Sequence, residues 1–186
     1  MVCHCERSEA ILLSCHSLES GNPDKSIMAY EKTHKLHIVT AVAVIRNPEG
    51  KYLLLKRHKN EVAYPGMYTF PGGKVEGNDT IEETLVKEVE EEAGLKLKPG
   101  KILLKDKTYL RPDGQTAKFF SYLCEVENFE PVTISDEFTN YQWVSRDDLK
   151  KIPHVGVEDE LVRADALYAS GLSLSLFQTK SVREGE

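Results

Sequence analysis

Apolar and polar positions fall into a regular order from about residue 36 onward. The run "IVTAVAVI" at residues 38–45 is apolar apart from Thr40, and "YLLL" at residues 52–55 follows it after "RNPEGK". Runs of this length without alternation predict strands buried on both faces, and Pro48 and Gly50 supply the turn between them. "MYTF" at residues 67–70 predicts a short extended piece within a Gly- and Pro-rich loop. Ile81, Leu85 and Val89 then recur at spacing four, with Val86 and Ala93 beyond, which predicts an amphipathic helix docked on a sheet. Thr80, with Glu83 three residues on, makes a capping box at its start, and Gly94 suits a left-handed end.

Further along, "KILLKDKTYL" and "AKFFSYLCEVENF" flank the turn "RPDGQT" and predict a β-hairpin. "YQWVS" predicts another short strand in which Trp143 packs the core, and Cys124 is expected as a small buried hydrophobe. "RDDLKKI" and "EDELVRADALYASG" predict a short and a longer helix. Strands alternating with a few helices fit an α/β architecture, a mixed β-sheet covered by helices on its faces.

Residues 1–30 lack this order. They carry Cys3, Cys5 and Cys15 among serines and histidines without the two-residue gaps of common zinc sites. The expectation is a poorly ordered extension over residues 1–30, with Met28 as an alternative start, a domain over 31–172 and a polar tail over 173–186. A length of 186 residues suits one domain with a sizeable core. The net charge of −6 argues against nucleic acid as a partner, and no apolar run approaches the ~20 residues that cross a bilayer. Four cysteines, three of them in the first fifteen residues, suggest no disulfide framework, so a cytoplasmic location is expected.

One stretch changes the picture. "GGKVEGNDTIEETLVKEVEEEAGL" at residues 72–95 crowds Asp79, Glu82, Glu83, Glu88, Glu90, Glu91 and Glu92 into about three helical turns, with Lys87 the lone basic residue inside the helix. Glu88, Glu91 and Glu92 fall on one helical face, where like charges repel unless a cation lies between them. Glutamate-rich helices also occur simply as solvated faces. Here Gly72 and Gly73 lie just ahead, allowing the chain to approach a ligand closely.

From Gly73 the residues Asp79, Lys87, Glu88, Val89, Glu91, Glu92, Gly94 and Leu95 match the signature G-x5-E-x7-R-E-U-x-E-E-x-G-U, where U is bulky and aliphatic. The chain resembles the Nudix hydrolases over residues 36–168, with Asp79 and Lys87 in place of the usual Glu and Arg. The resemblance implies a Nudix-type α/β/α sandwich that hydrolyses a nucleoside diphosphate linked to another group, with Mg2+ or Mn2+. It implies Glu88, Glu91, Glu92 and the Gly72 carbonyl as metal ligands, aided by the loop carboxylate Glu137. Glu88 and Glu91 would serve the attacking water, with Lys87 and Asp79 bracing from behind. Aspartate is shorter and lysine lacks the planar fork, so this brace is expected to be loose or water-mediated.

Arg57, Tyr68, Phe70 and Gly73 are the expected substrate contacts, Arg57 on a phosphate and the two aromatics about the base, with core burial the other reading of those rings. The expected substrate is a nucleoside triphosphate cleaved to monophosphate and pyrophosphate. The alternatives are ADP-ribose, a dinucleoside polyphosphate or a nucleotide sugar, and a non-catalytic nucleotide-binding module. Pro112 and Tyr109 do not decide among these branches. The isomerase branch that "YPGMYT" resembles needs a cysteine where this chain has "FPGGK". No nucleic acid or membrane partner is expected, and a monomer or homodimer fits.

Overall fold

The structure, a computed structural model, describes residues 37–110 and 115–171. The expected extension over residues 1–30, the Met28 start, most of the "RPDGQT" turn and the tail from residue 173 lie outside the described residues. Among the described residues seven strands are present: β1 (His37–Ile45), β2 (Tyr52–Arg57), β3 (Tyr68–Thr69), β4 (Gly72–Lys74), β5 (Leu97–Leu110), β6 (Thr116–Val126) and β7 (Phe138–Val144). Three helices among the described residues accompany them: α1 (Ile81–Ala93), α2 (Arg146–Leu149) and α3 (Glu158–Ala169). No helix among the described residues is long and apolar enough to cross a membrane.

The strands divide into two sheets. One is mixed, in the order β4-β1-β6-β5, with β1 parallel to β6 and antiparallel to β4. The other is antiparallel, in the order β3-β2-β7. The chain thus leaves β1 at the "NPEG" turn and enters a different sheet in β2, although a single bridge, Arg46 to Tyr52, spans the turn. The expected hairpin is β5 and β6, whose register runs from Leu97 opposite Val126 to Leu110 opposite Thr116.

Alternation along β1 and β2 builds two core layers. Val42, Val44, Tyr52 and Leu54 pack with Leu149 of α2 and Leu161 and Ala164 of α3. Ala41, Ala43, Ile45, Leu53 and Leu55 pack on the other face with Leu85, Val89 and Ala93 of α1. Both faces of the central strands are therefore covered by helices, as their unbroken apolar runs require. This is the expected α/β/α sandwich. Trp143 is half-buried against the second layer, its indole N–H donating to Glu130 at 3.0 Å, and Cys124 is 2 % exposed.

The α1 helix starts and stops where its local chemistry dictates. The Thr80 hydroxyl accepts from the Glu83 N–H, the Glu83 carboxylate accepts from the Thr80 N–H at 2.7 Å, and Gly94 takes a left-handed conformation with φ of 68°. Val86 departs from expectation. It lies beyond the docked stripe and is 41 % exposed, while Thr84 and Glu92 are buried instead.

Far from this helix, α3 is tied to the hairpin by charge. Lys105 of β5 is only 8 % exposed and pairs with Asp159 and, at 3.8 Å, with Glu160, which also accepts from the Ser121 hydroxyl. A buried cation so placed needs these partners to offset its desolvation.

Candidate active site

The site forms where α1 lies over β4. Register places Gly72 opposite Val42 and Gly73 opposite Ala41 on β1, so the glycines are sheet, pressed between a neighbouring strand and the helix. A Cβ on Gly72 would stand 2.6 Å from Val42 Cα, and its φ of 139° belongs to glycine. A Cβ on Gly73 would stand 2.6 Å from Glu88 Oε2 and nearer still to the other carboxylate oxygen. Glu88 therefore occupies the space that the missing side chain leaves.

The three signature glutamates sit at graded depth. Glu92 is 7 % exposed, Glu88 is half-buried and Glu91 is exposed. Gly72 N–H donates to Glu92 Oε2 at 2.7 Å and fixes the deepest carboxyl against the strand. Burial nevertheless raises the Glu92 pKa to about 8, with the charges of Glu88 and Glu137 adding to the rise and the Gly72 N–H and Arg57 opposing it. Glu88 is also raised, first by burial and then by the charges of Glu91, Glu137 and Glu76.

Beside the helix a cleft of about 210 Å3 is lined by Lys74, Glu76, Asp79, Thr84, Lys87, Glu88 and Glu91. Four carboxylates face two ammonium groups in it. Among the described residues no three His, Cys, Asp or Glu side chains are drawn into one ligand shell. Glu137 nonetheless lies near enough to Glu88 and Glu92 to raise the hold of both on a proton, and Glu88 raises that of Glu92. The donor set is oxygen only and its charge is undercompensated, which suits a hard divalent cation.

The NUDIX domain family matches residues 36–164 of this chain. The chain belongs to the Nudix hydrolase family. It is similar to the nucleoside triphosphatase NudI of Klebsiella pneumoniae (strain 342), 38 % identical over 120 residues that cover 60 % of this chain and 84 % of that protein. The corresponding protein of Escherichia coli O139:H28 is 35 % identical over 121 residues, covering 59 % and 84 %. Among solved structures, the MutT protein from Methanosarcina mazei Go1 superposes with a TM-score of 0.59 at 27 % identity, covering 73 % of this chain and 97 % of that one. Enzymatic hydrolysis of nucleoside diphosphate derivatives, and the general need for a divalent metal, come with membership of the Nudix family.

Against the Nudix signature the structure gathers Gly72, Gly73, Asp79, Lys87, Glu88, Glu91 and Glu92 into one region. Lys87 corrects one expectation, because its ammonium meets Asp79 Oδ2 directly at 2.6 Å with no water between. That hydrogen bond raises the Lys87 pKa. The shorter acid and the longer, flexible base still reach each other, on the wall of the cleft.

Arg57 ends β2 within electrostatic reach of Glu92, but its guanidinium is committed to its own loop. It donates to the Ala63 carbonyl at 2.7 Å and pairs with Glu61 at 2.8 Å. Glu137 is exposed in the loop before β7, and its carbonyl accepts from the His58 N–H at 2.7 Å. Tyr68 and Phe70 lie in the core at 4 % and 3 % exposure, so core burial, the other reading of these rings, is the one found. The Tyr68 hydroxyl accepts from Asn140 at 3.2 Å. Lys74, Glu76 and Thr84 line the cleft and were not foreseen.

Proposed function

We propose that this chain hydrolyses nucleoside triphosphates to nucleoside monophosphate and pyrophosphate, with Mg2+, or Mn2+ in its place, as a monomer or homodimer in a reducing cytoplasm. The observation that carries the reading is the carboxylate row of α1 docked on β4, with Glu92 fixed by Gly72 and Glu88 filling the space over Gly73. The substrate class follows the likeness to a nucleoside triphosphatase over 84 % of that protein's length.

Glu88, Glu91, Glu92 and the Gly72 carbonyl would hold the ion, with Glu137 as a further carboxylate. A bound divalent ion supplies a lowered pKa for water and neutralises charge on phosphate oxygens. The protein side of the work is divided by depth. Glu92, buried and hydrogen-bonded, sets the position of the row. Glu88, half-buried over Gly73, takes the proton from the attacking water as the general base. The water oxygen joins phosphorus as the bond between the α- and β-phosphates breaks, and pyrophosphate leaves. Lys74 and Lys87 on the cleft wall oppose the negative charge of the phosphates.

The test is a panel of ribo- and deoxyribonucleoside triphosphates, ADP-ribose and dinucleoside polyphosphates with Mg2+ or Mn2+, products separated by anion exchange. Monophosphate and pyrophosphate from a triphosphate are expected. Diphosphate and inorganic phosphate, or turnover confined to ADP-ribose or a dinucleotide, would overturn the substrate reading. No turnover on any substrate would favour a nucleotide-binding module.

A further inference from the structure

Arg57 uses one edge of its guanidinium within the protein. That edge is formed by Nε–H and the parallel N–H of Nη2: Nε donates to the Ala63 carbonyl at 2.7 Å and Nη2 pairs with Glu61 at 2.8 Å. Among the described residues Nη1 makes no hydrogen bond. The end fork, made of Nη1 and the outer hydrogen of Nη2, is open, and such a fork matches a phosphate bidentately. The Arg57 and Glu61 side chains are 22 % and 28 % exposed, so the pair is less screened than one in open solvent.

The loop of residues 58–66 supplies both partners and is closed at each end. The Glu61 N–H donates to the His58 carbonyl at 3.2 Å. The Met67 N–H donates to the Tyr64 carbonyl at 3.2 Å, and the Arg57 N–H to the Met67 carbonyl at 3.0 Å. Tyr64, whose N–H shares a peptide with the Ala63 carbonyl, takes a φ of 51°. A left-handed tyrosine is uncommon and costs backbone strain, and here it goes with a carbonyl aimed at Arg57.

Backbone contacts tie this assembly to the carboxylates. Arg57 lies opposite Phe138 where the β2–β7 register shifts, and the next N–H, that of His58, donates to the Glu137 carbonyl at 2.7 Å. The Phe138 N–H donates to the Ser135 carbonyl at 3.1 Å, and the Ser135 N–H donates to the Glu92 carbonyl at 3.4 Å. Phe138 and Leu55, two residues before Arg57, belong to the core layer of Leu85 and Val89 on α1. Arg57 therefore leaves the sheet near the end of α1 that carries Glu92, and its charge opposes the rise in the Glu92 pKa.

We infer that Glu61 is a positioning residue for nucleotide binding: with the Ala63 carbonyl it holds the side edge of Arg57, so that the end fork is presented to a phosphate of the substrate. The inference rests on the proposed hydrolysis of nucleotides. Its test is a double-mutant cycle in the full chain, Glu61→Ala, Arg57→Ala and the two combined, with Glu61→Gln beside them. Two readouts are taken: steady-state kinetics on the best triphosphate, and calorimetric binding of its non-hydrolysable α,β-methylene analogue with Mg2+. Arg57→Ala is expected to raise KM and Kd about tenfold or more, the loss of a charge-assisted contact. Glu61→Ala should raise both about threefold or more, the loss of pre-orientation, with kcat little changed in either. Without Arg57 the Glu61→Ala effect should vanish. Glu61→Gln keeps an acceptor for Nη2 and should lose less than alanine. Should Arg57→Ala not fold, Arg57→Lys, which keeps the charge but lacks the fork, takes its place in the cycle. Unchanged KM and Kd in Glu61→Ala would overturn the inference. So would a Glu61→Ala loss as large without Arg57 as with it. If wild type binds the analogue but turns over no nucleotide, the proposed reaction falls and the Kd cycle alone decides; if it does neither, both fall.

Discussion

Gly72 and Gly73 are neighbours in one short strand, yet an alanine at each should fail in opposite ways. At Gly72 the new Cβ meets backbone, 2.6 Å from Val42 Cα and closer to the Ala41 carbonyl oxygen, at a φ of 139°. Neither partner can yield without opening the β1–β4 ladder. Backbone strain of about 1–3 kcal/mol and overpacking of about 1–3 kcal/mol together give a loss of about 2–6 kcal/mol. At a urea slope of about 2 kcal/mol/M that lowers the unfolding midpoint by about 1–3 M. At Gly73 the three atoms nearest the Cβ all belong to the carboxylate end of Glu88, with Oε2 at 2.6 Å, and a flexible side chain can swing away for about 0.5–1.5 kcal/mol. Gly73→Ala should therefore melt within about 1 kcal/mol of wild type. It should lose about 10²–10⁴ in kcat/KM, the worth of a positioned base. The assays are urea unfolding in EDTA and initial rates with Mg2+. The reasoning fails if Gly73→Ala unfolds as early as Gly72→Ala, or if it keeps turnover within a few-fold.

Other outcomes follow from the same geometry. The folded Glu92 pKa of about 8 lies above the ordinary 4.5, so the native state holds a proton that the unfolded chain releases. That contribution is fully present below pH 4.5 and is lost as pH rises through 8. It amounts to about 3 kcal/mol between pH 4.5 and 7, and urea midpoints in EDTA should fall more steeply in wild type than in Glu92→Gln, where only the raised Glu88 carboxyl remains. Lys87→Arg should leave turnover equal or higher, because a planar fork also reaches Asp79; a large loss in steady-state rates would show that Lys87 has another role. Thr80→Ala removes the hydroxyl that caps α1 and should lower stability by about 1 kcal/mol in thermal melts.

The α1 helix was legible almost residue by residue because its signals are local. Thr80, Glu83 and Gly94 act on backbone groups within a few positions, and the spacing of Glu88, Glu91 and Glu92 alone puts them on one face. The hairpin of β5 and β6 was legible for the same reason. What could not be read is set by long-range partners. Nothing near "NPEG" says that β1 and β2 belong to different sheets, since both are apolar on both faces. β4 reads as loop in the sequence because glycines carry no side-chain pattern, and its strand character exists only through β1. Val86 lies just outside the arc that the sheet covers. Tyr68 and Phe70 are aromatic residues in a Gly- and Pro-rich segment, and only the packing of α2 and α3 on the first core layer places them inside. Tyr64, four residues earlier, stays outside because Arg57 holds its loop.

The most direct test of the metal-dependent carboxylate centre is the initial rate of nucleoside triphosphate hydrolysis across a Mg2+ titration, for wild type and Glu92→Gln side by side. The wild-type rate should rise from none to saturation as Mg2+ is added. The variant should remain about 100-fold or more slower at every concentration while unfolding no earlier than wild type in EDTA. Turnover by wild type without a divalent ion, or a Glu92→Gln rate within a few-fold of wild type, would contradict the account.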